Sequence, residues 1–245
     1  MIRGKAIYEG KAKILYETDD PDLLVLYFKD DATAFNRKKT GQWEGKGVVN
    51  CKISAILTQA VAATGVATHF VEQLSDREHL VKRVQIVPVE VVLRNCVAGS
   101  LSRRLGIPEG TEISRPFVEF YYKSDELDDP MVLPEWILEF GWATAAELDE
   151  MRRGALAVNQ VVGAFMAQRG IRLVDFKIEF GRAVGHHAAS GGGGQLLLAD
   201  EITPDGSRLW ELGTNRKLDK DRFRHDLGGV AETYVELLHR VEKPV

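Results

Sequence analysis

The residues with the clearest chemical potential lie in Leu173-Val174-Asp175-Phe176-Lys177-Ile178-Glu179-Phe180. Strand side chains alternate between faces, so Asp175, Lys177 and Glu179 share one face and the apolar residues share the other. A solvated sheet face above a core face would give the same pattern. The next segments of the chain tip the balance. Leu196 to Ile202 and Ser207 to Leu212 are expected to form a hairpin around Pro204-Asp205-Gly206, carrying Asp200 and Arg208. If these strands adjoin the first, two carboxylates, an Asp–Lys pair and an arginine converge. Carboxylates paired in that way are oxygen ligands for Mg²⁺, which usually holds nucleotide phosphates as well.

A second stretch is Ile86-Val87-Pro88-Val89-Glu90-Val91-Val92-Leu93-Arg94-Asn95-Cys96-Val97-Ala98-Gly99-Ser100. Glu90 and Arg94 fall on one face. Ser100 is expected to cap a short helix to Leu105 with Arg103 and Arg104 in its first turn, where free N–H groups favour a phosphate. A plain capped helix with exposed arginines is the blander reading. In Tyr8-Glu9-Gly10-Lys11-Ala12-Lys13-Ile14-Leu15, Lys11 and Lys13 are expected on one face of a strand, where they could cover a triphosphate or merely protect a sheet edge. Neither GxxxxGK[ST] nor GxGxxG occurs, which removes the P-loop and dinucleotide fingerprints. Lys123 ends a strand shared with Glu119 and Tyr121, and Glu126 and Asp128 in the acidic run behind it read as solvated. His69, His79, His225 and His239 have no ligand spacing, and His186-His187 lie in a Gly-rich connection.

The elements that must position these residues are strands at 6–8, 11–17 and 23–29, then a helix over 50–64 with Ile53, Leu57 and Val61 on one stripe. Strands at 84–95 and 117–123 come next, and a long helix over 147–169. The strand 173–180 leads into a loop, 181–195, and a terminal helix at 219–241 is weakened by Gly228-Gly229. Strands cluster early and helices interleave later, which predicts an α+β fold. The 245 residues carry a net charge of −4, 44% hydrophobic and 28% charged residues, an ordinary globular composition that excludes disordered and fibrous classes and argues against nucleic-acid backbone binding. Two separated cysteines, no apolar leader and no run long enough to span a bilayer lead us to expect a cytoplasmic protein with no disulfide, zinc site or membrane partner.

From Tyr8 to Gly229 the sequence resembles the phosphoribosylaminoimidazole-succinocarboxamide synthase (SAICAR synthetase) family. The resemblance rests on IVPVEVVLRNCVAGS and LVDFKIEFG, supported by YEGKAK, GKGVVN, DDPMV, ITPDGSRLW and LDKDRFR. It implies a two-lobed fold related to ATP-grasp enzymes, with residues 1–84 covering the nucleotide and 85–245 forming a larger lobe. It also implies an ATP-dependent ligase of purine biosynthesis. That enzyme joins L-aspartate to the carboxylate of carboxyaminoimidazole ribonucleotide (CAIR), with ATP and Mg²⁺, through an acyl phosphate, and works as a homodimer.

Carried over by position, the resemblance places Lys11, Ala12, Lys13 and Leu15 over the nucleotide, with Lys13 reaching the phosphates. Leu24, Val81, Lys82 and Ile86 would frame adenine, with backbone of 81–86 on its edge, and Lys123 would lie near the triphosphate. Glu179 and Asp200 would hold Mg²⁺. Arg94, Ser100 and Arg208 would bind the ribonucleotide, Asp175 and Lys177 would orient its imidazole, and Asn36 in Thr-Ala-Phe-Asn would approach CAIR or L-aspartate. Two departures stand out: the Lys29-to-Gly45 region matches only in that core, and loop 181–195 is long, so we expect it to be mobile and dispensable. Two other readings compete. A non-catalytic binding protein on this fold should have a damaged charged set, yet Lys13, Arg94, Lys177, Glu179, Asp200 and Arg208 are all present. A small-molecule kinase should show HRD and DFG signatures, which are absent.

Overall fold

The alternating apolar runs of the first eighty residues pair as antiparallel strands. The structure, a computed structural model, describes residues 3–36, 38–185 and 194–244. The chain opens with β1 (Ala6–Glu9), β2 (Lys13–Glu17) and β3 (Leu23–Phe28), followed by a small hairpin, β4 (Asp31–Ala34) and β5 (Lys39–Gln42). Helix α1 (Lys46–Ala62) then crosses the molecule, and β6 (Phe70–Ser75) and β7 (Glu78–Lys82) return to give a five-stranded sheet ordered β1-β2-β3-β7-β6. The helix starts four residues before its expected position. Its first turn is capped from outside, because Asp30 Oδ1 accepts the Gly47 N–H at 2.8 Å.

The second sheet centres on two 13-residue strands, β8 (Val84–Cys96) and, later, β11 (Ile171–Ala183). Between them come α2 (Gly99–Leu105), β9 (Glu112–Tyr122), β10 (Met131–Val132), α3 (Pro134–Glu139) and α4 (Ala145–Ala167). After β11 come β12 (Leu196–Ala199), β13 (Ser207–Glu211), α5 (Asp221–Arg224) and α6 (Val230–Glu242). Thr144 and Glu147 start α4 with a reciprocal capping box, and Leu148, Met151, Ala155, Val158, Val162 and Met166 form its buried stripe. Val49, Ile53, Leu57 and Val61 of α1 join the same core, whereas Cys51 faces a smaller one with Leu24, Leu26, Phe28 and Val81. One helix therefore belongs to both hydrophobic clusters.

Four expectations change. Residues 196–212 are not a hairpin: β12 and β13 each pair with β11, through residues 179–182 and 171–176 respectively, so one long strand hosts both. The terminal helix is two helices, because Gly228 and Gly229 adopt positive φ (68° and 58°) and turn the chain between α5 and α6. Arg103 and Arg104 occupy the last turn of α2. The expected loop 181–195 begins later, since β11 continues to Ala183. The expectations of mobility and dispensability fall on residues 186–193, outside the described residues.

Candidate active site

Strand pairing alone brings the charged residues together. Asp175 on β11 lies opposite Arg94 on β8 and Arg208 on β13, and Glu179 lies opposite Glu90. Three contiguous cavities follow the charged face of β11. An arginine cavity of about 340 Å³ is lined by Arg94, Ser100, Asp175, Lys177, Arg208 and Arg224, among others. A lysine cavity of about 430 Å³ holds Lys11, Ala12, Lys13, Lys123, Lys177 and Glu179. An apolar cavity of about 320 Å³ is framed by Leu15, Leu24, Val81, Lys82 and Ile86, with Lys123, Glu179 and Asp200 at its polar end. Lys177 is common to the first two and Glu179 to the last two.

In the arginine cavity, Arg94 Nη1 donates to Asp175 Oδ2 at 2.6 Å, its Nε to Glu119 Oε2 at 3.0 Å and its Nη2 to Ser100 Oγ at 3.0 Å. Arg208 Nη1 reaches Asp175 Oδ2 at 2.9 Å and its Nε reaches Asp221 Oδ2 at 2.7 Å. Burial disfavours both guanidinium charges, but Asp175 with Glu119, and Asp175 with Asp221, raise their pKa values. The two arginines are thus fixed cations in a cleft, suited to an anionic substrate group. Gly99, at φ 55°, is needed here, because a Cβ would run into the Arg208 guanidinium. Ser100 does not cap α2. That position is Ala98, and the Gly99 N–H is taken by Glu109 Oε1 at 2.9 Å, so the anion site is made by side chains and not by a free helix end.

In the lysine cavity the carboxylates are held by ammonium groups. Lys123 Nζ donates to both oxygens of Glu179 at 2.6 Å, Lys177 Nζ to Glu179 Oε1 at 2.7 Å and to Glu90 Oε1 at 2.9 Å, and Lys13 Nζ to Asp200. Burial would raise both carboxyl pKa values, yet Lys177 and Lys123 hold Glu179 low, and Lys13, Lys177 and Lys123 hold Asp200 well below the carboxylate range. Glu179 is only 2% exposed, so the charged face of β11 is the floor of a site and not a solvated surface. The donor set is two ionised carboxylates, Glu179 buried and Asp200 half-buried, beside nucleotide-sized space, which fits a hard divalent cation such as Mg²⁺.

Lys11 and Lys13 both line this cavity but diverge: Lys11 turns to Asn36 Oδ1 (3.2 Å) and Asp125 Oδ1 (2.7 Å). Asn36 itself lies in a neighbouring depression with Lys11, Lys38 and Asp129, outside the three cavities. The apolar cavity gathers the expected Leu15, Leu24, Val81, Lys82 and Ile86. Its backbone edge is narrower than expected, since the Lys82 and Arg83 N–H groups already donate to His69 O and Asp22 O, both at 2.7 Å. His69 Nε2 in turn contacts Asp200 O at 3.0 Å, and burial lowers its pKa to about 4.

Sequence reasoning missed Asp129, Glu201, Asp205, Lys220 and Arg224, all cavity-lining. In the sequence Asp205 reads as turn punctuation, and the last two lie in LDKDRFR, whose match to the family carries no role for either residue.

Comparison with known proteins places these features in a family. Residues 6–241 match SAICAR synthetase. A phosphoribosylaminoimidazole-succinocarboxamide synthase of Magnetococcus marinus is 54% identical over 241 residues, covering 98% of this chain and 97% of that protein. The crystal structure of such a synthase from Ehrlichia chaffeensis superposes with a TM-score of 0.93 at 45% identity, covering 98% of this chain and all of the other. A SAICAR synthetase in complex with ADP superposes with a TM-score of 0.89 at 43% identity, covering 97% and 99%. The chain belongs to the SAICAR synthetase family.

Proposed function

We propose that the chain joins the amine of L-aspartate to the carboxylate of CAIR at the expense of ATP, giving SAICAR, ADP and phosphate. The observation that carries this reading is the stepwise placement of Asp175, Lys177 and Glu179 along one strand, beneath three contiguous cavities. The apolar cavity takes adenine, consistent with a relative that binds ADP. The arginine cavity takes the ribonucleotide, with Arg94, Ser100 and Arg208 on its anionic groups. The lysine cavity between them takes the triphosphate end and the CAIR carboxylate.

Such a ligase needs charge neutralisation and alignment more than a protein nucleophile. Lys13 and Lys123 would turn from Asp200 and Glu179 to the phosphates, leaving those carboxylates for Mg²⁺. When bound, Mg²⁺ would supply further neutralisation of phosphoryl charge. Lys177, shared by two cavities, would hold the CAIR carboxylate in line with the γ-phosphoryl group, and Asp175 would orient the imidazole. Transfer breaks the β–γ P–O bond, releases ADP and gives an acyl phosphate; the aspartate amine then attacks its carbonyl carbon, and phosphate leaves with the C–O bonding pair and takes up the proton that the amine gives up.

We also infer a cytoplasmic homodimer. Both cysteines are free and buried, and among the described residues no helix is long and apolar enough to cross a membrane. Leu133, Trp136, Leu138 and Phe140 expose apolar surface around α3.

The test is ADP release with Mg·ATP while CAIR and L-aspartate are omitted in turn. ADP and SAICAR formed in equal amounts only with both substrates supports the reading. No ADP under any combination, despite measurable ATP binding, would overturn it.

A further inference from the structure

The motif Leu218-Asp219-Lys220-Asp221-Arg222-Phe223-Arg224 sets one lysine on a rigid support. Leu218, Asp219 and Asp221 are fully buried. Asp219 Oδ2 accepts the Leu209 N–H at 2.8 Å and Oδ1 accepts the Asp221 N–H at 2.7 Å. The Lys220 N–H donates to Pro204 O at 3.3 Å. The backbone is therefore fixed on both sides of Lys220, whose side chain reaches the lysine cavity.

Five lysines line that cavity, and four are hydrogen-bonded to carboxylates: Lys11 to Asp125, Lys13 to Asp200, Lys123 to Glu179, and Lys177 to Glu90 and Glu179. Among the described residues the Lys220 ammonium makes no hydrogen bond, and its one ion pair, with Asp205 Oδ2, is at 3.7 Å. Asp205 is shared with two nearer partners. The fully buried Lys46 Nζ lies 2.6 Å from the same oxygen, and Tyr234 OH donates to the other at 2.7 Å. The Lys220 side chain is 12% exposed, so its unused donors face the cavity with little water to satisfy them. Burial lowers its pKa, and Arg224 and Lys46 push the same way against Asp205, the mark of a locally positive spot.

An anion belongs there, and the charges already assigned indicate which. The ribonucleotide has Arg94 and Arg208, and the nucleotide phosphates have Lys13 and Lys123. Lys220 lines neither the arginine nor the apolar cavity. The remaining substrate is the one with two carboxylates and no cation yet provided. We propose that Lys220 receives a carboxylate of L-aspartate in the lysine cavity and so makes the enzyme select an acidic amino donor. This rests on the ligase reading above.

The experiment is steady-state kinetics of Lys220→Met and Lys220→Arg. The expected result for Lys220→Met is a KM for L-aspartate raised at least twentyfold, with the KM values for ATP and CAIR within threefold. Lys220→Arg should recover part of the loss. Hydroxylamine, an amine nucleophile without a carboxylate, should support CAIR-dependent ADP release equally in Lys220→Met and the unsubstituted chain. An unchanged KM for L-aspartate would overturn the proposal. So would a rise in the KM for ATP, or an equal loss with hydroxylamine, either of which would make Lys220 a phosphate ligand or a structural residue. Failure of the ligase reading is separable, because the unsubstituted chain would then show no turnover.

Discussion

Glu179 is both the most enclosed carboxylate of the site and one of the two suited to a divalent cation. Its two lysine partners offset the cost of burial, so the residue cannot be treated as an exposed group that contributes nothing to the fold. Glu179→Gln should reduce kcat at least a hundredfold at saturating Mg²⁺. It should also lower Tm by a few degrees, because Lys123 loses its anion and Lys177 keeps only Glu90 as a hydrogen-bonded carboxylate; retention of normal kcat at limiting Mg²⁺ would remove Glu179 from the metal site. Arg94 poses the same question for the ribonucleotide. It is 3% exposed and bonded to Asp175, Glu119 and Ser100, so truncation to Ala would confound binding with a void and with the loss of one of the two arginines that hold buried Asp175. The cleaner variant is Arg94→Lys, which keeps the charge and loses the fork. We expect the KM for CAIR to rise about tenfold and that for ATP to stay within twofold; equal effects on both would make Arg94 structural.

Among the elements, β7 and the segment before β6 hold two buried histidines. His79 Nε2 contacts Cys51 O at 2.9 Å and His69 Nε2 contacts Asp200 O. Burial lowers both pKa values from 6.5 to about 4. The unfolded chain then takes up these protons first. Stability from this source is complete above about pH 6.5 and declines as pH falls towards 4, by at most about 3 kcal/mol per histidine. Melting temperatures across that window should fall with acidity, and His79→Gln, which keeps an N–H donor, should flatten the slope. An unchanged slope would place the loss elsewhere. Asp205 and Asp221, held well below the carboxylate range against burial by Lys220 and Lys46 and by Arg208 and Arg224, lose their contribution only below about pH 4.

The same elements indicate what a sequence can reveal. The charged face of β11 was legible because alternation is a local property of any strand, and the pairing of Asp175 with two arginines only required those strands to be neighbours. The hairpin reading of 196–212 failed because a turn motif between two apolar runs looks the same whether they pair with each other or end to end along one edge of a third strand. β6 and β7 went unseen because their charged and polar residues, Glu72, Gln73, Glu78 and His79, blur the period. Lys46 and Asp205 meet only through tertiary packing, so neither could announce the other.

At the scale of the molecule, α1 ties the sheet that covers the apolar cavity to the sheet that carries the arginines, since its two sides sit in different hydrophobic clusters. The proposed homodimer would form through the exposed apolar surface of α3. Trp136→Glu combined with Phe140→Glu should turn a dimer into a monomer by light scattering, with the melting curve little changed; a dimer that survives the double substitution would move the interface elsewhere.

The regular course of β11 between Asp175 and Glu179 has a consequence for chemists who would block this enzyme. Four residues of extended chain span about 13 Å, and the strand is clamped along that length by β8. The gap between the proposed nucleotide end and the proposed imidazole end is therefore a fixed dimension of the protein. A single compound that tethers an adenosine unit to an imidazole ribonucleotide should have a sharp optimum in linker length near that span, with affinity falling for shorter or longer tethers.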